Sequence, residues 1–183
     1  MTQQRPPYLP GDPPPADEIE RMIRVDQAGE YGAVRIYEGQ LAILRRGRAR
    51  DEIRHMAEQE ARHLARFDAL VHSRHVRPTV LQPLWHIAGY ALGVATALLG
   101  EEAAMACTVA VEEVIDEHYQ GQAERLGDAD PPLKETILAF REDELAHRAR
   151  AIEHGAMDTL GYDVISGVIK AGSRLAIWLS TRI

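Results

Sequence analysis

Twice in this chain a glutamate is followed seven residues later by a tyrosine and 30 or 32 residues later by a second glutamate, with a histidine three positions beyond it. The first set is Glu30, Tyr37, Glu60 and His63; the second is Glu112, Tyr119, Glu144 and His147. Spacings of three and seven residues return a side chain to the same face of an α-helix. An interval of roughly 30 residues carries the chain along one helix, through a turn and into the next. The repeat therefore restricts the chain to two similar helix hairpins.

Helix breakers agree with that reading. Gly47, the Pro78/Pro83 pair, Gly127 to Pro132 and Gly155/Gly161 cut the sequence into segments of helical length, and no window alternates with the period of a strand. Long helices are expected at about 17–46, 50–75, 95–126 and 132–154, with a short apolar helix near 84–94 and a terminal one near 162–180. The fold class is all-α. Its six prolines give the stretch MTQQRPPYLPGDPPP, residues 1–15, the composition of a disordered arm. Residues 16–183 form one domain.

Helical phase separates inward pairs from decoys. At about 100° per residue, Ile53, Met56, Leu64 and Phe67 define one apolar face; Glu60 falls at its centre and His63 about 60° away. Ile137, Leu133 and Phe140 place Glu144 and His147 at the same two phases. The third Glu-x-x-His match, Glu52/His55, turns His55 to the polar side, and Glu142 likewise faces solvent. Glu30 lies within the stripe Met22, Ile23, Ala33, Val34 and Tyr37, whereas Glu38 does not. Glu112 shares a face with Leu98, Met105 and Val109, whereas Glu113 is turned away.

A carboxylate on an apolar face is costly unless a counter-charge meets it. Antiparallel hairpins would bring Glu30, Glu60, Glu112 and Glu144 together with His63 and His147 at mid-bundle, the ligand set of di-iron and di-manganese carboxylate bundles. Oxygen-rich sites with two imidazoles suit Fe or Mn. Such a centre can bind and reduce O₂. Asp26, Asp116 and Asp143 lie where they would hydrogen-bond ligand imidazoles from outside. Tyr37 and Tyr119 read as core residues with satisfied hydroxyls. His118 faces away from its stripe, and His72, His75, His86 and His154 have no partner pattern. Gly89-x-x-x-Gly93 permits close helix packing.

Composition narrows the partners. A net charge of −7 without a Lys/Arg run weighs against nucleic acid. The single cysteine, Cys107, excludes an internal disulfide and thiolate metal sites, and fits a reducing compartment. From Pro78 to Gly100, PTVLQPLWHIAGYALGVATALLG carries no full charge over 23 positions. Its apolar run of about 15 residues is short for a hydrocarbon core of about 30 Å, which favours burial or shallow insertion over a membrane span. VISGVIKAGSRLAIWLSTRI adds a second apolar, basic-edged helix suited to a membrane interface.

RVDQAGEYGAVRIYEGQ (24–40), VRPTVLQPLWHIAGYALGVATALLG (76–100), ACTVAVEEVIDEHY (106–119) and FREDELAHR (140–148) resemble the demethoxyubiquinone hydroxylases of ubiquinone biosynthesis. The likeness runs from about residue 18 to the end. It implies a ferritin-like fold with two iron ions, the family's ligands falling on Glu30, Glu60, His63, Glu112, Glu144 and His147. It also implies O₂-dependent ring hydroxylation of a 2-polyprenyl-3-methyl-6-methoxy-1,4-benzoquinol, with reducing equivalents from NADH although no nucleotide-binding fold is visible. Tyr119 and His118 match the family's HY pair and are candidates for an electron path. A lipid-presenting partner protein is implied. In the absence of a presequence pattern, a bacterial member on the cytoplasmic face of the cell membrane is expected. The rival readings are a ferritin-like ferroxidase, against which the uncharged 78–100 stretch argues, and a non-catalytic membrane-associated helical module.

Overall fold

A computed structural model describes residues 15–183. The expected proline-rich arm lies outside the described residues, save Pro15, which opens the first helix. The elements are α1 (Pro15–Ile43), α2 (Arg48–Ser73), α3 (Gln82–Leu98), α4 (Glu101–Leu126), α5 (Pro131–Glu153), a 3₁₀ turn (Ala156–Asp158) and α6 (Tyr162–Ser180). There is no strand among the described residues. Helices α1 and α2 form one hairpin and α4 and α5 the other, while α3 lies along α1 and α6 along α4. The repeat thus extends further than its ligands: each half is a hairpin followed by a third helix packed on the hairpin's first arm.

One boundary differs from the sequence expectation. The short apolar helix and the long helix that follows it divide at Gly100 rather than near residue 95, so they span 82–98 and 101–126. Gly100 has φ 123°, a conformation that L side chains rarely adopt, and it turns the chain at the end of the uncharged stretch, directly before Glu101 and Glu102. α1 also stops at Ile43, ahead of Gly47 at φ 109°. Pro131 opens α5, and Asp130 caps it by accepting a hydrogen bond from the Leu133 amide at 3.1 Å.

Two apolar clusters occupy the two ends of the bundle. Leu44, Ile53, Met56, Met105, Val109 and Ala151 belong to one, and Met22, Ile23, Phe67, Leu70, Leu126, Leu133 and Ile137 to the other. On every bundle helix the inward glutamate falls between residues of the two clusters, so apolar layers seal the carboxylates from both ends. The α1–α3 contact brings backbone against backbone. A Cβ on Gly93 would stand 2.0 Å from the Ile36 carbonyl oxygen, and one on Gly39 would stand 2.3 Å from that of Tyr90. The glycine spacing read from sequence is a backbone-on-backbone seam.

Candidate metal centre

All six phased residues converge. Glu30, Glu60, Glu112, Glu144, His63 and His147 are each at most 4% exposed. Their ligating atoms form two overlapping groups, Glu30/Glu60/His63/Glu144 and Glu60/Glu112/Glu144/His147, and within each group the atoms lie within 4.8 Å of one another. Glu60 and Glu144 belong to both groups.

The donors fit divalent cations. His63 Nδ1 points into the cluster, 3.2 Å from Glu144 Oε1 and 3.6 Å from Glu30 Oε2. His147 Nδ1 does the same, 3.1 Å from Glu60 Oε1 and 3.0 Å from Glu144 Oε2. Glu60 Oε1 and His63 Nδ1 are sealed from water and, close as their neighbours are, make no hydrogen bond of acceptable geometry, an arrangement that is costly unless something else meets those atoms. Burial, then the neighbouring carboxylates, raises the Glu60 carboxyl well above its ordinary value; Glu112 is raised by burial and by Glu144, and Glu144 by burial above all. Burial lowers His147. Burial works against a charged His63 too, but Glu144 and Glu30 outweigh it and push the imidazole up to about 10. Protons are thus held where cations would sit. Two divalent ions would balance the four carboxylates.

Each tyrosine serves the opposite hairpin. Tyr37 on α1 donates to Glu112 Oε1 on α4 at 3.0 Å, and Tyr119 on α4 donates to Glu30 Oε1 on α1. Burial raises both phenols well above their ordinary value, with Glu112 adding for Tyr37 and Glu30 for Tyr119, so both hydroxyls keep their protons to donate. The expected satisfied core tyrosines are therefore the residues that fix the orientation of Glu112 and Glu30.

Of the three outer aspartates, one stands where expected. Asp143 Oδ2 lies 3.0 Å from His63 Nε2. Asp26 does not reach a ligand imidazole; its Oδ1 takes His118 Nε2 at 3.0 Å and Gln122 Nε2 at 2.7 Å. Asp116 accepts from Arg141 Nε at 2.5 Å. Both lie on inward stripes, but a different partner is nearer. His118, off its helix's apolar stripe, is held by Asp26, and its side chain is 13% exposed. His86, read as partnerless, meets the Tyr31 hydroxyl at 2.6 Å through Nδ1. Glu52 and His55 stay out of the cluster, Glu52 accepting from Arg150 at 2.9 Å.

Gln59 was missed. Its Oε1 lies 3.2 Å from His147 Nε2, the counterpart of Asp143 on His63. Each residue immediately precedes a shared glutamate, so the internal repeat contained the signal. Phe140, read only as core, stacks on His63 with ring centroids 3.9 Å apart.

A cavity of about 430 Å³ lies on the other side of α1 and α4. Val25, Gly29, Gly32 and Ile36 of α1, Trp85 and Leu92 of α3, Val111 and Ile115 of α4, and Val168 and Leu175 of α6 line it. Val168 and Leu175 are more than half exposed, so the lining reaches the surface. Gly29 and Val111 each precede a ligand glutamate, so the cavity and the cluster are separated by a single thickness of helix.

Comparison with known proteins agrees with the geometry. Residues 17–180 match the model of a family described as Ubiquinone biosynthesis protein COQ7. The chain is 60% identical over 176 residues to a 3-demethoxyubiquinol 3-hydroxylase of Rhodospirillum rubrum, covering 96% of this chain and 83% of that protein. It is 49% identical over 169 residues to a human mitochondrial NADPH-dependent 3-demethoxyubiquinone 3-hydroxylase, covering 90% and 78%. A mitochondrial 5-demethoxyubiquinone hydroxylase of Saccharomyces cerevisiae is 43% identical over 182 residues, covering 90% and 78%. A helical bundle with two overlapping Glu/His groups at its centre, matched over nearly its whole length, places this chain in the COQ7 family of ubiquinone biosynthesis proteins.

Proposed function

We propose that this chain is an O₂-dependent di-iron monooxygenase that hydroxylates the ring of 2-polyprenyl-3-methyl-6-methoxy-1,4-benzoquinol. The observation that carries the reading is the pair of buried ligand groups sharing Glu60 and Glu144, in a chain of this family. Glu30 and His63 would hold one iron, Glu112 and His147 the other, and Glu60 and Glu144 both. Bound iron would supply O₂ binding and redox chemistry. One oxygen atom enters a ring C–H bond; the other leaves as water, taking two electrons and one proton from a reduced nicotinamide nucleotide and a second proton from solvent. The sequence resemblance implies NADH, while the names of the human and other relatives specify NADPH.

The protein's own groups orient and seal. Tyr37 and Tyr119 hold Glu112 and Glu30 from the opposite hairpin, and Asp143 and Gln59 hold the outer nitrogens of the two imidazoles. Of the two residues in the proposed electron path, Tyr119 touches a ligand and His118 stops at Asp26. The apolar cavity suits the polyprenyl tail. The ring would approach past Gly29, Gly32 and Ile115, between two helices that touch each other little.

A tail of that kind resides in a bilayer, and the outer faces of α3 and α6 suit one. Ile87, Leu98 and Leu99 beside Val164, Val168 and Trp178 are all more than half exposed. No helix is long and apolar enough to cross a membrane among the described residues. The chain is therefore proposed to lie on the cytoplasmic face of the cell membrane, where a lipid-presenting partner would deliver substrate.

The test is incubation of the reduced, iron-loaded protein with a short-chain demethoxyubiquinol and O₂, followed by mass analysis. A product heavier by one oxygen atom is expected. Oxidation of iron without that product would replace this reading with the ferroxidase one.

A further inference from the structure

The centre has a near two-fold symmetry in the hydrogen bonds of its two tyrosines and of the outer nitrogens of its two imidazoles. Tyr119 donates to Glu30 as Tyr37 donates to Glu112. Both imidazoles turn Nδ1 inward, and both turn Nε2 to a residue on the opposite hairpin that directly precedes a shared glutamate. The exception is the identity of that residue. Behind His63 stands Asp143, a carboxylate at 3.0 Å; behind His147 stands Gln59, a neutral amide at 3.2 Å.

An N–H donated to a carboxylate makes the far ring nitrogen a stronger donor to a metal than one donated to an amide oxygen. Asp143 also acts on His147, but through space, whereas its hydrogen bond goes to His63. Its side chain is 46% exposed, so solvent screens the long-range part more than the direct contact.

We propose that the two metal positions load in order, the Glu30/His63 position first and the Glu112/His147 position second, and that Asp143 sets the order. The proposal rests on the two-metal reading above. Asp143 and Gln59 are positioning residues, since each acts through an imidazole. Asymmetry of this kind gives the pair a stable ion that organises Glu60 and Glu144 before the second arrives.

Zinc is a redox-silent probe for the test. Metal-free protein labelled with ¹⁵N-histidine is titrated with Zn²⁺ and followed by NMR of the ring nitrogens, with total uptake measured in parallel. The first equivalent is expected to shift the His63 resonance and the second that of His147. Asp143→Asn is expected to weaken the first step by about tenfold, the lower end for loss of an outer-shell partner, with total uptake still near two. Asp143→Glu should restore the order, and Asp143→Asn combined with Gln59→Glu should reverse it. Simultaneous shifts, His147 shifting first, or equal weakening of both steps in Asp143→Asn would overturn the proposal while leaving the two-metal centre intact. Failure of the wild-type protein to take up zinc would instead remove the two-metal reading and the order with it.

Discussion

At the scale of single residues, helical phase found all six proposed ligands because burial of an ionised carboxylate has a cost that must be met at a definite place. Phase separates Glu144 from Glu142 two residues away, and the structure buries the first and exposes the second. Glu144→Ala, which removes a ligand from both positions, is expected to cut metal uptake from two ions per chain to below one. Glu112→Ala should retain about one, and Glu142→Ala both; metal analysis after anaerobic reconstitution reads all three. Gln59 escaped because a neutral amide on a helix face carries no cost that demands a partner. Asp26 was misread for a different reason: phase gives the direction of a side chain and not what meets it there.

Protonation of these residues sets the pH behaviour of metal-free protein. The raised Glu60, Glu112 and Glu144 each contribute stability that is full below the unfolded carboxylate value of about 4.3 and is lost as pH rises through the folded value. His63 contributes stability present below about 6.5 and lost as pH rises toward about 10. His147, lowered by burial, opposes them, its contribution being present above about 6.5 and lost as pH falls through its folded value. Four groups outweigh one. The Tm of chelator-treated protein should therefore fall as pH rises from about 6.5 to 9, and Zn²⁺ at the alkaline end should restore it; calorimetry checks both.

At the scale of elements, all six helices were legible from breakers and period, and the α3–α4 boundary was not. Gly100 closes the uncharged stretch, and the acidic first turn of α4, Glu101 and Glu102, is the signal of the turn that the period did not weigh. The α1–α3 seam was legible as a glycine spacing, though not its partner. Gly93→Ala would drive a methyl into the Ile36 carbonyl and is expected to destabilise the fold by about 2 kcal/mol or more, measured by urea unfolding. Asp130 both caps α5 and pairs with Arg74, which holds its carboxyl below the ordinary value. Asp130→Ala should cost about 1–2 kcal/mol at neutral pH. That contribution is complete above about pH 4 and disappears as pH falls through the folded value, so wild type and variant should converge in strong acid.

At the scale of the whole molecule, the uncharged 78–100 stretch and the terminal helix were legible as surface-seeking, but not as two walls of one cavity. That pairing depends on α3 packing along α1 and α6 along α4, which no local pattern encodes. It also reassigns individual residues: Leu99 is outward and exposed, whereas Leu92 lines the cavity. Ile87→Asp with Leu99→Asp is expected to weaken liposome binding by at least about tenfold in a flotation assay, with the helical circular dichroism unchanged. Unaltered binding would show that these faces do not carry the contact.

The crossing of the halves has one more consequence. Each metal position borrows a glutamate from the other hairpin, each tyrosine serves the other hairpin, and each imidazole is steadied from across the bundle. A single hairpin with its third helix is therefore self-complementary, and two identical copies would close the same centre around a rotation axis. Such a pair would be bound by symmetry to place the same residue behind both imidazoles. Joining the halves in one polypeptide lifts that constraint. Asp143 and Gln59 can differ only because they are encoded once each, which makes the continuous chain the physical origin of any division of labour between the two ions.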